Sequence, residues 1–335
     1  MKALSVGVVG AGTIAREMHL PVLSCMPDVE VQWICDVSAD RARAAGNAYG
    51  IRNIVADSPA DLPSCDAVLL AIPVGARDGY VDACGARGAA ILAEKPFAVS
   101  AKKHRELIER FEPYQLGCAY MRRFYSSTLL LRHLVRTAPF GALLRIRISE
   151  GSRLTASRVD RSYLDDASQS ASGGILSELG CHSLDAALFI TGARGYEIHA
   201  CEFACDGNVD RGITANIRLS ESGHIPSCGV ELEYCVSWLD RQENTILLEF
   251  ENSSVWTGVG PGAEVYMGTP QTPAEATRLM PARRGAITAN QAFYLQWRSF
   301  IDGIRAKSAS VISAESALLG TVLIEDLYLN RKAHA

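Results

Sequence analysis

The sequence has no C-x-x-C pair. Its ten cysteines are scattered, and the nearest two are Cys201 and Cys205. This excludes the common zinc-ribbon and dithiol spacings, so reduced and mostly buried thiols are expected, with neither a metal nor a disulfide framework. No apolar run reaches the ~20 residues a membrane helix needs, and the start, Met1 to Val6, runs straight into a strand-like segment without a cleavage-site pattern. A cytoplasmic protein without membrane contact is expected. Positive charge is also short: 33 Lys and Arg against 37 Asp and Glu leave a net charge of -4. No overall basic field is available to neutralise the phosphates of a nucleic acid. Internal repeats and low-complexity tracts are absent as well.

What is present is core. The chain has 335 residues, 48% hydrophobic and 21% charged, which is more than one ordinary core holds and points to two domains. Residues 1–120 alternate short apolar runs (4–9, 29–35, 67–72, 90–93, 115–118) with helical patterns (14–23, 39–49, 79–87, 102–111), the texture of a doubly wound parallel sheet. From residue 143 the segments lengthen and alternate (143–150, 197–205, 212–219, 230–237, 244–250), predicting a mainly antiparallel sheet with one buried face in a domain over 121–335. Helices are expected over 175–190, 290–305 and 314–330, the last able to fold back toward the first domain. Stretches 152–172 and 258–284 read as loops, the first either a flap over a site or merely exposed.

The first apolar run is followed at once by Gly10-Ala11-Gly12-Thr13-Ile14-Ala15 and then a helical pattern. In that order, Gly10 permits the tight turn, Gly12 lets backbone approach a pyrophosphate, and Ala15 allows close packing of helix on strand. The second run ends at Asp36, positioned to reach the adenosine ribose hydroxyls. A carboxylate there repels a 2′-phosphate, favouring NAD over NADP, although Ser38 and Arg41 nearby weaken that preference.

Run 90–93 leads into Glu94-Lys95-Pro96, placing a lysine at the carboxyl edge of a parallel sheet, where ligands bind. Farther on, Gly173-Gly174-Ile175-Leu176-Ser177-Glu178-Leu179-Gly180-Cys181-His182-Ser183-Leu184-Asp185 sets Glu178 and His182 four apart on one helix face, with Asp185 three further. These strings resemble the Gfo/Idh/MocA family of oxidoreductases, as do the His19-Leu20-Pro21 stretch and the Arg123-Phe124 pair. The resemblance implies a Rossmann domain followed by an α+β domain with a large open sheet through which a homodimer or homotetramer assembles.

It also implies NAD or NADP held by Gly10, Gly12, Thr13, Ile14, Asp36, Ile72, Pro73, Arg77, Glu94 and Lys95. The substrate, a sugar, nucleotide sugar, amino sugar or cyclitol, would be met by Lys95, Arg123, Glu178 and His182; Tyr163, Arg153, Arg158 and Arg161, which precede the glycine pair, either line the substrate side as well or form a solvated charged loop. Lys95 would partner the reacting hydroxyl and His182 would be the acid/base. Two departures stand out: Glu178 where the family has aspartate, and Ile72-Pro73-Val74-Gly75-Ala76-Arg77 where it has T-P-N-x-x-H. An NAD-dependent glycosidase or epimerase-like activity, or a non-catalytic dinucleotide-binding regulator, remains an alternative.

Overall fold

The computed structural model describes residues 2–153, 174–269, 275–280 and 284–333. The expected flap, with Tyr163, Arg158, Arg161 and Gly173, lies outside them. Two compact units are present, Met1–Met121 with Ala289–Leu318, and Arg122–Thr288 with Leu319–Ala335. The helix expected over 290–305 is thus grouped with the N-terminal residues.

The first unit is built on β1 (Leu4–Val9), α1 (Leu20–Ser24), β2 (Val29–Cys35), α2 (Ala39–Tyr49), β3 (Asn53–Ile54), β4 (Ala67–Leu70), α3 (Asp78–Ala86), β5 (Ala90–Ala93), α4 (Ala101–Arg110) and β6 (Leu116–Cys118). Strands β4 and β5, of sequence AVLL and AILA, are buried at every position. Continuous burial is what a parallel strand covered on both faces requires. The helices start and stop on local chemistry. Ser38 Oγ accepts the Arg41 amide to cap α2, which ends at Gly50 with φ of 70°, and Ser100 caps α4 through the Lys103 amide. The six parallel strands run β3-β2-β1-β4-β5-β6, so the order reverses between β1 and β4, the point where ligands bind in such sheets.

The second unit contains α5 (Ser126–Thr137), β7 (Leu143–Gly151), α6 (Cys181–Thr191), β8 (Gly195–Asp206), β9 (Val209–Ser220), β10 (Val230–Ser237), β11 (Thr245–Phe250), β12 (Ser254–Gly258), β13 (Val265–Gly268) and β14 (Thr277–Leu279). Its eight-stranded sheet has the order β14-β13-β12-β11-β7-β10-β9-β8. The β7–β10 pair is parallel; the others are antiparallel. Along β10, Val230, Leu232, Tyr234 and Val236 are buried while Glu231, Glu233 and Cys235 are not fully covered. The buried face joins Leu131 and Leu134 of α5, Leu184 and Leu188 of α6, and Leu323 and Leu327 in one core. Two helices complete the chain, α7 (Ala289–Ala306) and α8 (Ala314–Ala333).

Stretch 258–284, read as a loop, instead carries β13 and β14 among its described residues. The thiols also differ from expectation: four of the ten are buried, three are half-buried and Cys25, Cys205 and Cys228 are exposed.

Candidate cofactor and catalytic site

Three segments converge at the carboxyl ends of β1, β4 and β5. Gly10 has φ of +98°, and a Cβ there would collide with the Ala71 carbonyl that follows β4. A side chain is therefore excluded both by the backbone and by the neighbouring segment. At Gly12, by contrast, an added Cβ would meet nothing within 4 Å. The glycine leaves room outside the protein, as a backbone that must approach a pyrophosphate requires. Thr13 and Ile14 are exposed at the start of the following helix, whose first stretch, Ala15–His19, is a π turn. These residues fit a dinucleotide phosphate cradle.

Asp36 braces this turn. Its Oδ2 accepts the Ala11 amide at 2.8 Å, and its Oδ1 accepts the Ser38 amide at 2.8 Å and Arg41 Nε and guanidinium bonds at 3.1 and 2.7 Å. Burial works to raise the carboxyl, but the amides and Arg41 hold it below the usual carboxylate range. Oδ2 keeps a lone pair for a ribose hydroxyl. Sequence spacing found Asp36; its bond to Ala11 needed the fold.

Ile72 is half-buried and Pro73 exposed. Arg77, expected on the cofactor wall, is 4% exposed and sends its guanidinium inward. It donates to the carbonyls of Ile72 (3.0 and 2.9 Å), Glu94 (2.6 Å), Pro96 (2.6 Å) and Phe97 (3.3 Å). Burial pulls it down to about 10. Its work is to tie the β4 loop to the Glu94-Lys95-Pro96 segment, whose Lys95–Pro96 bond is cis.

Glu94 is likewise turned inward, 8% exposed, with its Oε1 2.8 Å from His19 Nε2. Lys95 beside it is half-buried, and its amide donates to Glu94 Oε2 at 3.2 Å.

In the second unit, the helical stretch bearing Glu178 and His182 is set down on the sheet by its glycines. A Cβ on Gly174 would overlap the carboxylate of Asp210 on β9, and one on Gly180 would overlap the hydroxyl of Tyr234 on β10. Asp210 Oδ2 accepts the Leu176 amide at 2.9 Å, and the Tyr234 hydroxyl donates to the Gly180 carbonyl at 2.9 Å. Residues Leu176–Gly180 form a second π turn leading into α6, a feature often found at functional positions. Glu178 and His182 both remain half-buried.

Arg123 and Asp185 meet each other. Arg123 donates to both Asp185 oxygens at 2.5 to 3.2 Å, with side-chain exposures of 4% and 3%. Burial pushes the Asp185 carboxyl up against the opposing pull of the guanidinium. Arg123, expected at the substrate, is instead one half of a buried pair that joins the start of this unit to α6. Beside it, Arg122 donates to both Glu150 oxygens at 2.9 and 2.7 Å, and Ser183 to one of them. Asp210, Tyr234 and Glu150 carried no sequence signal, because their roles are contacts between strand and helix.

Among the described residues no group of three His, Cys, Asp or Glu is arranged to hold a metal, and no helix is long and apolar enough to cross a membrane.

Comparison with known proteins gives a match of residues 4–120 to the family described as "Oxidoreductase family, NAD-binding Rossmann fold". The rhizopine catabolism protein MocA of Rhizobium meliloti is 28% identical over 195 residues, 57% of this chain and 58% of that protein. D-glucoside 3-dehydrogenase of Escherichia coli K12 is 26% identical over 193 residues, 56% of this chain and 54% of that protein. The chain thus spans a little over half the length of these relatives. Among solved structures, a 3-ketoreductase from Actinomadura kijaniata in complex with NADP and TDP-benzene has a TM-score of 0.80 at 19% identity, covering 98% of both chains. An aldose-aldose oxidoreductase from Caulobacter crescentus has a TM-score of 0.82 at 18% identity, covering 100% of this chain and 99% of that one. At these identities the likeness shows the fold.

Proposed function

We propose that this chain, whose residues 4–120 match an oxidoreductase family with an NAD-binding Rossmann fold, is an enzyme of the Gfo/Idh/MocA kind that interconverts a hydroxyl and a keto group on a sugar, nucleotide sugar, amino sugar or cyclitol. The observation that carries this is the meeting, at the carboxyl ends of β1, β4 and β5, of the open Gly10–Gly12 turn, Ile72 and Lys95. When bound there, the nicotinamide supplies hydride exchange with the substrate carbon. Gly10, Gly12, Thr13 and Ile14 cradle the phosphates, and Ile72 and Pro73 flank the ring side. Asp36, already loaded by Ala11, Ser38 and Arg41, offers its remaining lone pair to a ribose hydroxyl, which favours NAD.

In this reading Lys95 and His182 act on one substrate oxygen. His182 takes the hydroxyl proton in oxidation and returns it in reduction, a task suited to imidazole, whose ordinary pKa is ~6.5. Lys95 donates a hydrogen bond to the same oxygen and stabilises its developing negative charge. Glu178, one methylene longer than the aspartate usual in the family, orients a neighbouring hydroxyl.

Two copies of the chain are proposed to associate through the open sheet face. That face carries Arg145 and Arg147 bridged to Glu233 and Glu249 at 2.7 to 3.6 Å, so these four charges are already paired within the face.

The reading is tested by turnover of NADH and NADPH against a panel of keto sugars and of NAD and NADP against polyols. Turnover is expected, with Lys95→Ala and His182→Ala each lowering kcat by about 10²- to 10⁴-fold while cofactor binding, followed by NADH fluorescence, persists. Unchanged kcat in either variant removes that residue from the chemistry. Binding without turnover across the whole panel would favour a regulator, and release of an aglycone without net NADH change would favour the glycosidase alternative.

A further inference from the structure

The indole of Trp297, on α7, donates to Nδ1 of His19 at 2.9 Å, and Nε2 of the same imidazole lies 2.8 Å from Glu94 Oε1. We propose that Trp297 and His19 are positioning residues for Lys95, forming a relay in which the indole fixes the tautomer of His19, His19 orients the Glu94 carboxylate, and that carboxylate supports Lys95 as an ammonium. The inference rests on the reading above that Lys95 acts at the substrate oxygen.

An indole N–H can only donate, so Nδ1 must accept and the proton of the imidazole sits on Nε2, pointed at Glu94. His19 is fully buried, and its ring stands edge-on at 89° to both Phe293 and Trp297, with centroids 4.9 and 5.9 Å away. The ring is therefore held in orientation as well as in tautomer. Glu94 Oε1 is committed to His19, Oε2 takes the amide of Lys95, and the Glu94 carbonyl takes Arg77. The residue before Lys95 is pinned through side chain and main chain alike. Burial works to raise the Glu94 carboxyl, yet the His19 bond and the charges of Lys95 and Arg77 hold it below the usual range. An attraction that keeps Glu94 ionised keeps Lys95 protonated to the same degree. Among the described residues, His19, Lys95 and Arg77 are the titratable groups that act most strongly on this carboxylate.

Replacing Trp297 by Phe keeps a ring but removes the donor. Nδ1 then becomes a buried, unsatisfied acceptor. Since Nε2–H must still face a carboxylate, the relief open to the ring is a second proton. An imidazolium beside Glu94 cancels the charge that Lys95 feels.

The chain has six lysines, so isotope-labelled lysine NMR reads each one, with Lys95 assigned by its loss in Lys95→Arg. In Trp297→Phe the titration midpoint of Lys95 is expected to fall by about one pH unit, and further in Glu94→Gln. In the double variant Trp297→Phe/His19→Gln no imidazole is left to charge, while the glutamine amide still donates to Glu94, so the midpoint should return toward that of the wild type. A Lys95 midpoint indifferent to Trp297, or one that falls equally in the double variant, overturns the relay even where Lys95→Ala loses turnover and the reading of Lys95 stands. Wild-type turnover in Lys95→Ala instead overturns that reading, and the catalytic meaning of the relay with it. Should Trp297→Phe fail to fold, the ring nitrogen shifts of His19 in the wild-type protein decide: the Nε2–H tautomer is expected, and Nδ1–H refutes the proposal.

Discussion

Gly174 lies against the carboxylate of Asp210 so closely that no side chain fits between them, and that carboxylate also holds the Leu176 amide at 2.9 Å. Gly174→Ala must displace either the carboxylate or the helix start, since Asp210 is 2% exposed and takes a further bond of 3.1 Å from the Tyr328 hydroxyl. A loss of about 2 to 4 kcal/mol is expected, read by urea denaturation. A variant as stable as the wild type would show that the helix start is not held this way.

Gly12 is the contrasting glycine. Nothing stands within 4 Å of the Cβ it lacks, so Gly12→Ala should leave the thermal midpoint almost unchanged. On the proposed reading its methyl group would enter the space left for the phosphates, and the cofactor Kd should rise about tenfold or more, roughly 1.4 kcal/mol. Calorimetric titration with NAD and NADP measures it; equal affinity in wild type and variant would move the phosphates elsewhere.

The sheet of the first unit was legible because continuous apolar runs joined by amphipathic helices have few other solutions, and α2 falls where its pattern put it, over 39–49. Helix α5 was not, since it opens on Ser126, Ser127 and Thr128, polar residues that are nonetheless buried. Strands β13 and β14 were lost among glycine and proline because each has only three or four residues and owes its existence to pairing partners. In the candidate site, spacing alone singled out Gly10, Gly12 and Asp36, but not the Ala71 carbonyl that excludes a side chain at Gly10 or the Ala11 amide that Asp36 accepts. Arg77 and Arg123 escaped it: the first binds carbonyls 17 to 20 residues away and the second a carboxylate 62 residues away. Charge marks an arginine as a candidate ligand contact; only burial shows that it is already engaged.

His104 ties stability to pH. Its Nε2 donates to the Ala314 carbonyl at 2.9 Å, and burial, opposed by that bond, pulls the imidazole down from 6.5 to about 4. Between these values the unfolded chain binds a proton that the folded one refuses, so stability falls as pH drops from 6.5 toward 4 and is unaffected by this group above that window. The slope should approach about 1.4 kcal/mol per pH unit. His104→Gln keeps a donor for Ala314 but cannot titrate; guanidinium melts across the window should show a shallower slope, whatever its baseline stability. An identical slope would assign the acid sensitivity to other groups.

Thiol chemistry should follow burial. Cys25, Cys205 and Cys228 are exposed, whereas burial pushes Cys35 and Cys84 up to about 12 and Cys65 to about 11. Iodoacetamide at neutral pH, followed by peptide mass spectrometry, should label the exposed three first and the other three only on unfolding. Early labelling of Cys35 would mean that β2 opens in the native state.

The return of α7 to the first unit has a bearing on biosynthesis. All six strands of the parallel sheet have been made once residue 118 is synthesised, but the indole that satisfies His19 arrives 278 residues after that histidine. Until then His19 lacks both its indole donor and the Phe293 ring that stands edge-on to it, so this unit is completed only after the intervening residues of the second unit have been made.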